Sequence, residues 1–319
     1  MLLVGPTDET LHAHTRLRQR ALERLGCRVS TVDPHGTGGW LNRLRRTGLQ
    51  DRLARAMAAA SPAIVVVLED CRLDPALVDW LKRGNHATWA GWFCDSFRAP
   101  DRVRSLSSAY DLILIADSEA ATTLATESTP PVRYLPPGCD PSIHRPMRSR
   151  DQFRANVVFV GTATPHRERL LWELIEFGLA VWGPGWRRTR LRDYCRGELL
   201  AHEDYVRAYA GASVAINLSC GGESEVREGP GCNRRLFEVA AIGVPQVVED
   251  CPDLHRHFHE GSEVLVSRTT DDLRRLTAEA LHDRAWAEQV AAGGRHRALT
   301  EHTYMHRMIE LLHLAQAGT

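Results

Sequence analysis

The sequence predicts an α/β protein of two domains, each a parallel β-sheet with helices on both faces. Three observations carry this reading. The chain has 319 residues, too many for one ordinary domain and enough for two of roughly 150. Short apolar runs alternate with amphipathic stretches, the pattern of strand–helix–strand units. A proline-rich segment at 135–146, LPPGCDPSIHRP, interrupts the alternation, which then begins again.

The elements follow in order. Residues 1–4 read as a short strand. A loop over 5–10 leads to a helix whose apolar face is Leu17, Ala21, Leu22 and Leu25, and Gly26 stops it. Residues 27–32 read as the next strand. Residues 62–68 are a continuous apolar, β-branched run of the kind a parallel sheet buries on both faces, and 88–93 and 112–116 read the same way. Beyond the linker, strands are expected at 156–160, 179–182, 214–218 and 245–248, and the stretch from Asp271 onward is helical. The expected boundaries are 1–140 for the first domain, 141–300 for the second, and 301–319 for a last helix packing back on the first.

Composition narrows the function. Hydrophobic residues make up 43% of the chain, enough for packed cores. Lys+Arg and Asp+Glu are 40 each, so the formal charge is zero, which disfavours a general nucleic-acid binder. Lys82 is the only lysine. A phosphate contact must therefore come from Arg, His or backbone N–H groups, and Schiff-base chemistry is disfavoured. The eight cysteines are scattered singly, as reduced structural thiols of a cytoplasmic protein would be. The chain opens on a strand rather than a basic, apolar leader, and no apolar run reaches the ~18 residues of a membrane span. A cytoplasmic protein without a membrane span is expected.

Open parallel sheets bind ligands beyond the carboxyl ends of their strands, so the expected site is a cleft between two such domains. Gly161 ends a strand and opens a helix, where backbone N–H groups favour an anion and Arg167 or Arg169 can grip phosphate. In residues 231–245, Glu238 begins an Ala-rich helical segment that ends in Gly243-Val-Pro245, and Asn233 and Arg235 lie about one turn before it, where they can face the same ligand. A carboxylate there can accept two hydrogen bonds from a ribose diol, and it can also simply complement the helix dipole. Trp182 and Trp186 can stack on a base, although Trp182 suits a core equally well. Asp95, at a strand end, is the first candidate for a general base and suits a helix cap equally. Asp8, Glu9, His12 and His14 are weaker candidates. The alternating His255, His257 and His259 are a metal reading of low weight, and no metal site is expected.

The run Asn233-Arg-Arg235-Leu-Phe-Glu238 followed by Gly243-Val-Pro245 resembles the nucleotide-sugar site of GT-B glycosyltransferases, in particular those of the spore-maturation CgeB type. Further pieces agree in order: Phe159-Val-Gly161 with Arg167, Val181-Trp182-Gly183-Pro-Gly-Trp186, Tyr205, Ser213-Val-Ala-Ile-Asn217, Glu263-Val-Leu-Val266, and Trp92-Phe-Cys-Asp95 in the first half. The resemblance implies two Rossmann-like domains facing across a cleft and transfer of a sugar from a nucleotide-sugar donor to an unidentified acceptor. The donor is the co-substrate, and no further cofactor is implied. It assigns donor binding to Gly161, Trp182, Gly183, Asn217, Asn233, Arg235 and Glu238, and makes Asp95, Arg167 and Arg235 the catalytic candidates. GT-B enzymes need no Asp-x-Asp metal site, and the sequence has no Asp-x-Asp; Arg167 and Arg235 would stabilise the departing diphosphate instead. One departure stands. Many retaining relatives carry a Glu eight positions before the ribose glutamate, where this chain has Pro230, with Glu228 nearby. A nucleotide-sugar epimerase or hydrolase and a non-catalytic nucleotide-sugar binder are the alternatives.

Overall fold

The computed structural model describes residues 1–7, 14–34, 48–68, 73–94, 109–127, 131–198, 200–219 and 231–317. They divide into two compact units, Met1–Pro136 with Tyr304–Thr319, and Pro137–Thr303. Each has its own core.

The first unit is built on a parallel sheet of β1 (Leu2–Val4), β2 (Ser30–Val32), β3 (Ile64–Leu68), β4 (Thr88–Phe93), β5 (Leu112–Ile115) and β6 (Val132–Tyr134), in the order β2-β1-β3-β4-β5-β6. The β-branched and aromatic runs of β3 and β4 fill the middle, buried along their whole length. This is why they read as continuous apolar stretches rather than as alternation. The described helices are α1 (His14–Arg24), α2 (Gly48–Ala60), α3 (Pro75–Lys82) and α4 (Ser118–Glu127). Asp74 caps α3 by accepting the Ala76 N–H at 2.9 Å, and Pro75 opens it, where no N–H is needed. Gly26 leaves α1 at φ 83°.

The second unit repeats the plan with β7 (Ala155–Val160), β8 (Leu179–Trp182), β9 (Cys195–Gly197), β10 (Ala212–Asn217), β11 (Gln246–Glu249) and β12 (Leu265–Ser267), in the order β12-β11-β10-β7-β8-β9. All pairings are parallel; Val157 and Val158 on β7 lie opposite Leu179 and Ala180 on one side, and Val214 and Ala215 on the other. Its helices are α5 (Pro165–Trp172), α6 (His202–Ala210), α7 (Arg234–Ile242), α8 (Thr270–His282) and α9 (Arg284–Glu301). The apolar face of α7, Leu236, Phe237, Ala240 and Ala241, packs into a cluster with Cys139, Leu254, Phe258 and Ala298. The last helix, α10 (Tyr304–Ala317), belongs to the first unit and packs on α1.

Two six-stranded parallel sheets flanked by helices confirm the fold class read from the sequence. Of the four sheet ends, β2 lies within the strand read at 27–32, and the other three carry no such signal. Strands β6, β9 and β12 are each three residues long and lie at edges, and β9 is Cys-Arg-Gly, with no apolar run to reveal it.

Candidate functional site

In the second sheet the chain runs outward from β7 through β8 to β9 on one side, and from β10 through β11 to β12 on the other. The carboxyl ends of β7 and β10 are therefore the topological switch point, where such sheets leave a crevice. Gly161 follows β7 and Asn217 closes β10. Asn233, the residue before α7, donates from Nδ2 to Asn217 Oδ1 at 2.7 Å. Arg235, in the first turn of α7, donates from Nη1 to the Val160 carbonyl at 2.8 Å and lies over the Phe159 ring at 5.5 Å. Among the described residues no carboxylate pairs with it.

Glycine is required at the second of two turns here and fits closely at the first. A Cβ on Gly161 would come within 2.6 Å of Arg235 Nη1, and Gly183, at φ 131°, would place a Cβ 2.1 Å from the Gly161 carbonyl oxygen. The two turns are laced together: Gly161 N–H donates to Trp182 O at 2.8 Å, Ala163 N–H to Pro184 O at 2.9 Å, and Trp186 Nε1 to Gly161 O at 2.7 Å. Thr164 Oγ1 accepts the Arg167 N–H at 3.2 Å, capping α5. The sequence suggests these amides for an anion; those of Gly161, Ala163 and Arg167 are already committed to the protein's own oxygens. Gly161, Gly183, Asn217, Asn233 and Arg235 do come together.

Arg167 is corrected. It is 2% exposed, and each guanidinium nitrogen donates to a carbonyl: Nε to Ser219 at 2.7 Å, Nη1 to Thr162 at 3.0 Å, Nη2 to Leu218 at 3.1 Å. It ties the loop after β7 to the loop after β10 and is spent on the protein's own carbonyls rather than on phosphate. Beside it, Ser219 donates to Glu249 Oε2 from its N–H at 2.9 Å and its hydroxyl at 2.7 Å, while His166 Nε2 meets Glu249 Oε1 at 2.7 Å. The sequence points to the loops that hold this network but not to the network.

Trp182 is also corrected. It lies on β8 at 2% exposure, packed against Phe153 with ring centres 6.3 Å apart and covered by Arg196 at 5.6 Å. A base cannot stack on a ring already enclosed. Trp186 is buried likewise, held by its indole bond to Gly161. Asp95, Asp8, Glu9 and His12, and the side chain of His14, lie outside the described residues.

Glu238 departs from its expected place. It occupies the second turn of α7, not the helix start, and is 3% exposed. Tyr205, on α6, donates its hydroxyl to Glu238 Oε2 at 2.5 Å, and Arg234 Nε lies 4.0 Å from the same oxygen. His144, from the proline-rich segment, brings Nε2 to 3.7 Å from Oε1. Burial works to raise the Glu238 carboxyl; His144, the Arg234 guanidinium and the Tyr205 hydroxyl outweigh it and hold it below the usual range, so it is ionised at neutral pH. Tyr205 is pushed well up by burial and by the adjacent carboxylate, so its hydroxyl keeps its proton. Burial pulls His144 down to about 4, leaving a neutral imidazole. Of these partners only Tyr205 stands out in the sequence; a lone His among prolines and turn residues carries no pattern.

The three alternating histidines do not converge. His255 pairs with Asp250 at 3.1 Å, His257 packs against Phe237 and His302, and the His259 N–H donates to Glu263. Among the described residues no group of three or more His, Cys, Asp or Glu side chains is placed to hold a metal. A pocket lined by Pro146, Ala212, Ser213, Pro245, Arg284 and Glu288 opens at the amino ends of β10 and β11, the opposite end of the sheet, and is no part of this site.

Residues 166–313 match the model of a family described as glycosyl transferase-like. No curated protein matches the sequence. Solved structures do match the fold. Sucrose-phosphate synthase from Thermosynechococcus elongatus is 14% identical, with 100% of this chain and 99% of that chain covered and a TM-score of 0.67. The glycosyltransferase AviGT4, involved in avilamycin A biosynthesis, is 15% identical over 100% of this chain and 98% of its own, TM-score 0.66. Anabaena HepE, solved in complex with UDP and glucose, is 10% identical over 99% of both chains, TM-score 0.66. The fold is the GT-B fold, and the chain carries a glycosyl transferase-like domain on it. Among the described residues no helix is long and apolar enough to cross a membrane.

Proposed function

We propose that the protein is a glycosyltransferase, that it draws its sugar from a nucleotide-sugar donor bound in the second unit, at the carboxyl ends of β7 and β10, and that it passes the sugar without a metal ion to an acceptor recognised by the first unit. Arg235 carries the reading. It is a cation at the switch point of a parallel sheet, fixed by one bond to Val160 O and by the Phe159 ring, beside a glycine that leaves it room. Such a group suits a diphosphate.

The chemistry follows from the leaving group. The bond between the anomeric carbon and the diphosphate oxygen breaks, a bond from that carbon to an acceptor oxygen forms, and negative charge grows on the departing diphosphate. A guanidinium held where that charge develops lowers the barrier without a metal cation. The acceptor proton goes to a base, for which Asp95 is the candidate. Glu238 is the proposed ribose contact, through Oε1, because Oε2 already accepts from Tyr205. Asn217 and Asn233 hold the loops at the same strand ends. No cofactor besides the donor is required. The order of motifs supports the CgeB type within the class, and the scattered thiols support a cytoplasmic setting. HepE was solved with UDP, which makes UDP the first diphosphate to try.

Calorimetry on the wild type and Arg235→Ala, with the tightest-binding nucleoside diphosphate, tests the assignment. Loss of charge-assisted bonds predicts affinity weakened by about tenfold to a hundredfold. Equal affinity would remove Arg235, and with it this location for the diphosphate.

A further inference from the structure

The eight cysteines stand singly in the sequence, and the fold brings two of them together. Cys232 precedes Asn233 at the entrance to α7, and Cys251 lies just past the end of β11. Their Sγ atoms are 3.4 Å apart, in contact but unbonded. Cys232 is 4% exposed, within the cluster that buries the apolar face of α7, and Cys251 is half-buried at its margin. Neither residue sits inside a helix or strand, so each backbone can yield where a regular element would hold it. Packing does not call for two thiols here. A thiol is a weak donor and a weak acceptor, and its reactivity is what sets it apart from other small apolar side chains.

We propose that Cys232 and Cys251 are a site of oxidative modification, joined by a hydroperoxide in a reversible disulfide that draws the entrance of α7 off the donor site. The more exposed Cys251 reacts first. Its sulfur attacks one peroxide oxygen, the O–O bond breaks, and Cys251 becomes a sulfenic acid; with hydrogen peroxide the other oxygen leaves as water. The Cys232 sulfur then attacks the Cys251 sulfur. The S–S bond forms, the S–O bond breaks, and the hydroxide released takes the Cys232 proton as a second water. Two thiols lose two electrons and the peroxide gains them. The contact with Cys251 and burial push the Cys232 thiol well above its ordinary value, so it keeps its proton until that second step. A thiol reductant reverses the bond by exchange.

The consequence for the donor site is geometric and rests on the donor-binding reading above. A disulfide spans about 2.0 Å, so the sulfurs must close by more than an ångström from 3.4 Å. In the sheet, β11 lies beside β10 on the side away from β7. Drawing Cys232 toward the end of β11 therefore draws Asn233 from Asn217 on β10 and Arg235 from Val160 on β7, the two bonds that hold the start of α7 over the strand ends. The reduced protein is the binding form. In a reducing compartment the pair rests as thiols, and a disulfide there is a transient signal.

The test adds hydrogen peroxide to the reduced full-length protein and blocks the remaining thiols. An unreduced digest is then read by mass spectrometry, beside calorimetry with the tightest-binding of the four common ribonucleoside diphosphates. A peptide joining Cys232 to Cys251 is expected, with diphosphate affinity lowered by about tenfold, and dithiothreitol should reverse both. Cys251→Ser should bind the diphosphate as the reduced wild type does, form no link, and keep its affinity in peroxide. Where Cys251→Ser fails to fold, Cys232→Ala removes the other sulfur and should behave in the same way. A digest without that peptide, or with either cysteine joined to a third instead, overturns the site. A complete link that leaves the affinity unchanged, or an equal loss of affinity in Cys251→Ser, overturns its hold on α7 while the donor reading stands. If the reduced wild type binds none of the diphosphates, the donor reading itself falls, and control of donor binding falls with it, whether or not the link forms.

Discussion

Two arginines that look alike in the sequence have opposite fates. Arg167 is consumed by the carbonyls of Thr162, Leu218 and Ser219 and buried to 2% exposure, whereas Arg235 spends one bond on Val160 and stays partly exposed. The difference is one of depth: Arg167 lies under the loops it joins, and Arg235 lies on the strand end. Arg167→Met should therefore act on stability. Three carbonyl oxygens lose their donors, a loss of about 3 kcal/mol, and the melting temperature should fall by several degrees. A thermal melt checks this. An Arg167→Met variant with an unchanged melting temperature but a lost diphosphate affinity would return Arg167 to the binding site. His144 makes the complementary point, since it has no pattern to betray it and matters only because α7 brings Glu238 to within 3.7 Å.

At the scale of elements, the site is a pair of interlocked turns. The loop after β7 and the loop after β8 share three hydrogen bonds, and Gly183 sits against the Gly161 carbonyl with no room for a side chain. Gly183→Ala would force a Cβ to 2.1 Å from a backbone oxygen at a φ of 131°. Strain and displacement together predict a loss of about 3 kcal/mol and, because Gly161 would move from beside Arg235, weaker diphosphate binding. A variant that melts and binds like the wild type would show the turns to be independent. These turns are legible in the sequence because glycine, proline and a strand end are local signals, read from a few neighbouring residues. The central strands are legible for the same reason: Ile64–Leu68 and Thr88–Phe93 are buried on both faces. The edge strand Cys195–Gly197 is not, because it has only one neighbour and no run of apolar residues. The burial of Trp182, Arg167 and Glu238 is not legible either. Whether a large side chain at a strand end faces a ligand or the interior depends on what packs over it, and Phe153, Leu218 and Tyr205 come from distant parts of the chain.

At the scale of the molecule, every described group of the proposed donor site belongs to the unit Pro137–Thr303, including His144 from its first residues. The other unit is discontinuous, closed by α10, where Arg18 on α1 lies over both Trp92 at 4.1 Å and Tyr304 at 5.2 Å. The central claim is that this fold uses its second sheet to hold a nucleotide sugar and release the diphosphate by means of an arginine rather than a metal cation. The most direct test follows a panel of nucleotide sugars labelled in the sugar, incubated with the full-length protein and its native extract as acceptor source in excess chelator. One donor should be consumed, with label moved from nucleotide to acceptor at an undiminished rate. No consumption of any donor, or consumption that ceases in chelator and returns only with a divalent metal, would contradict it.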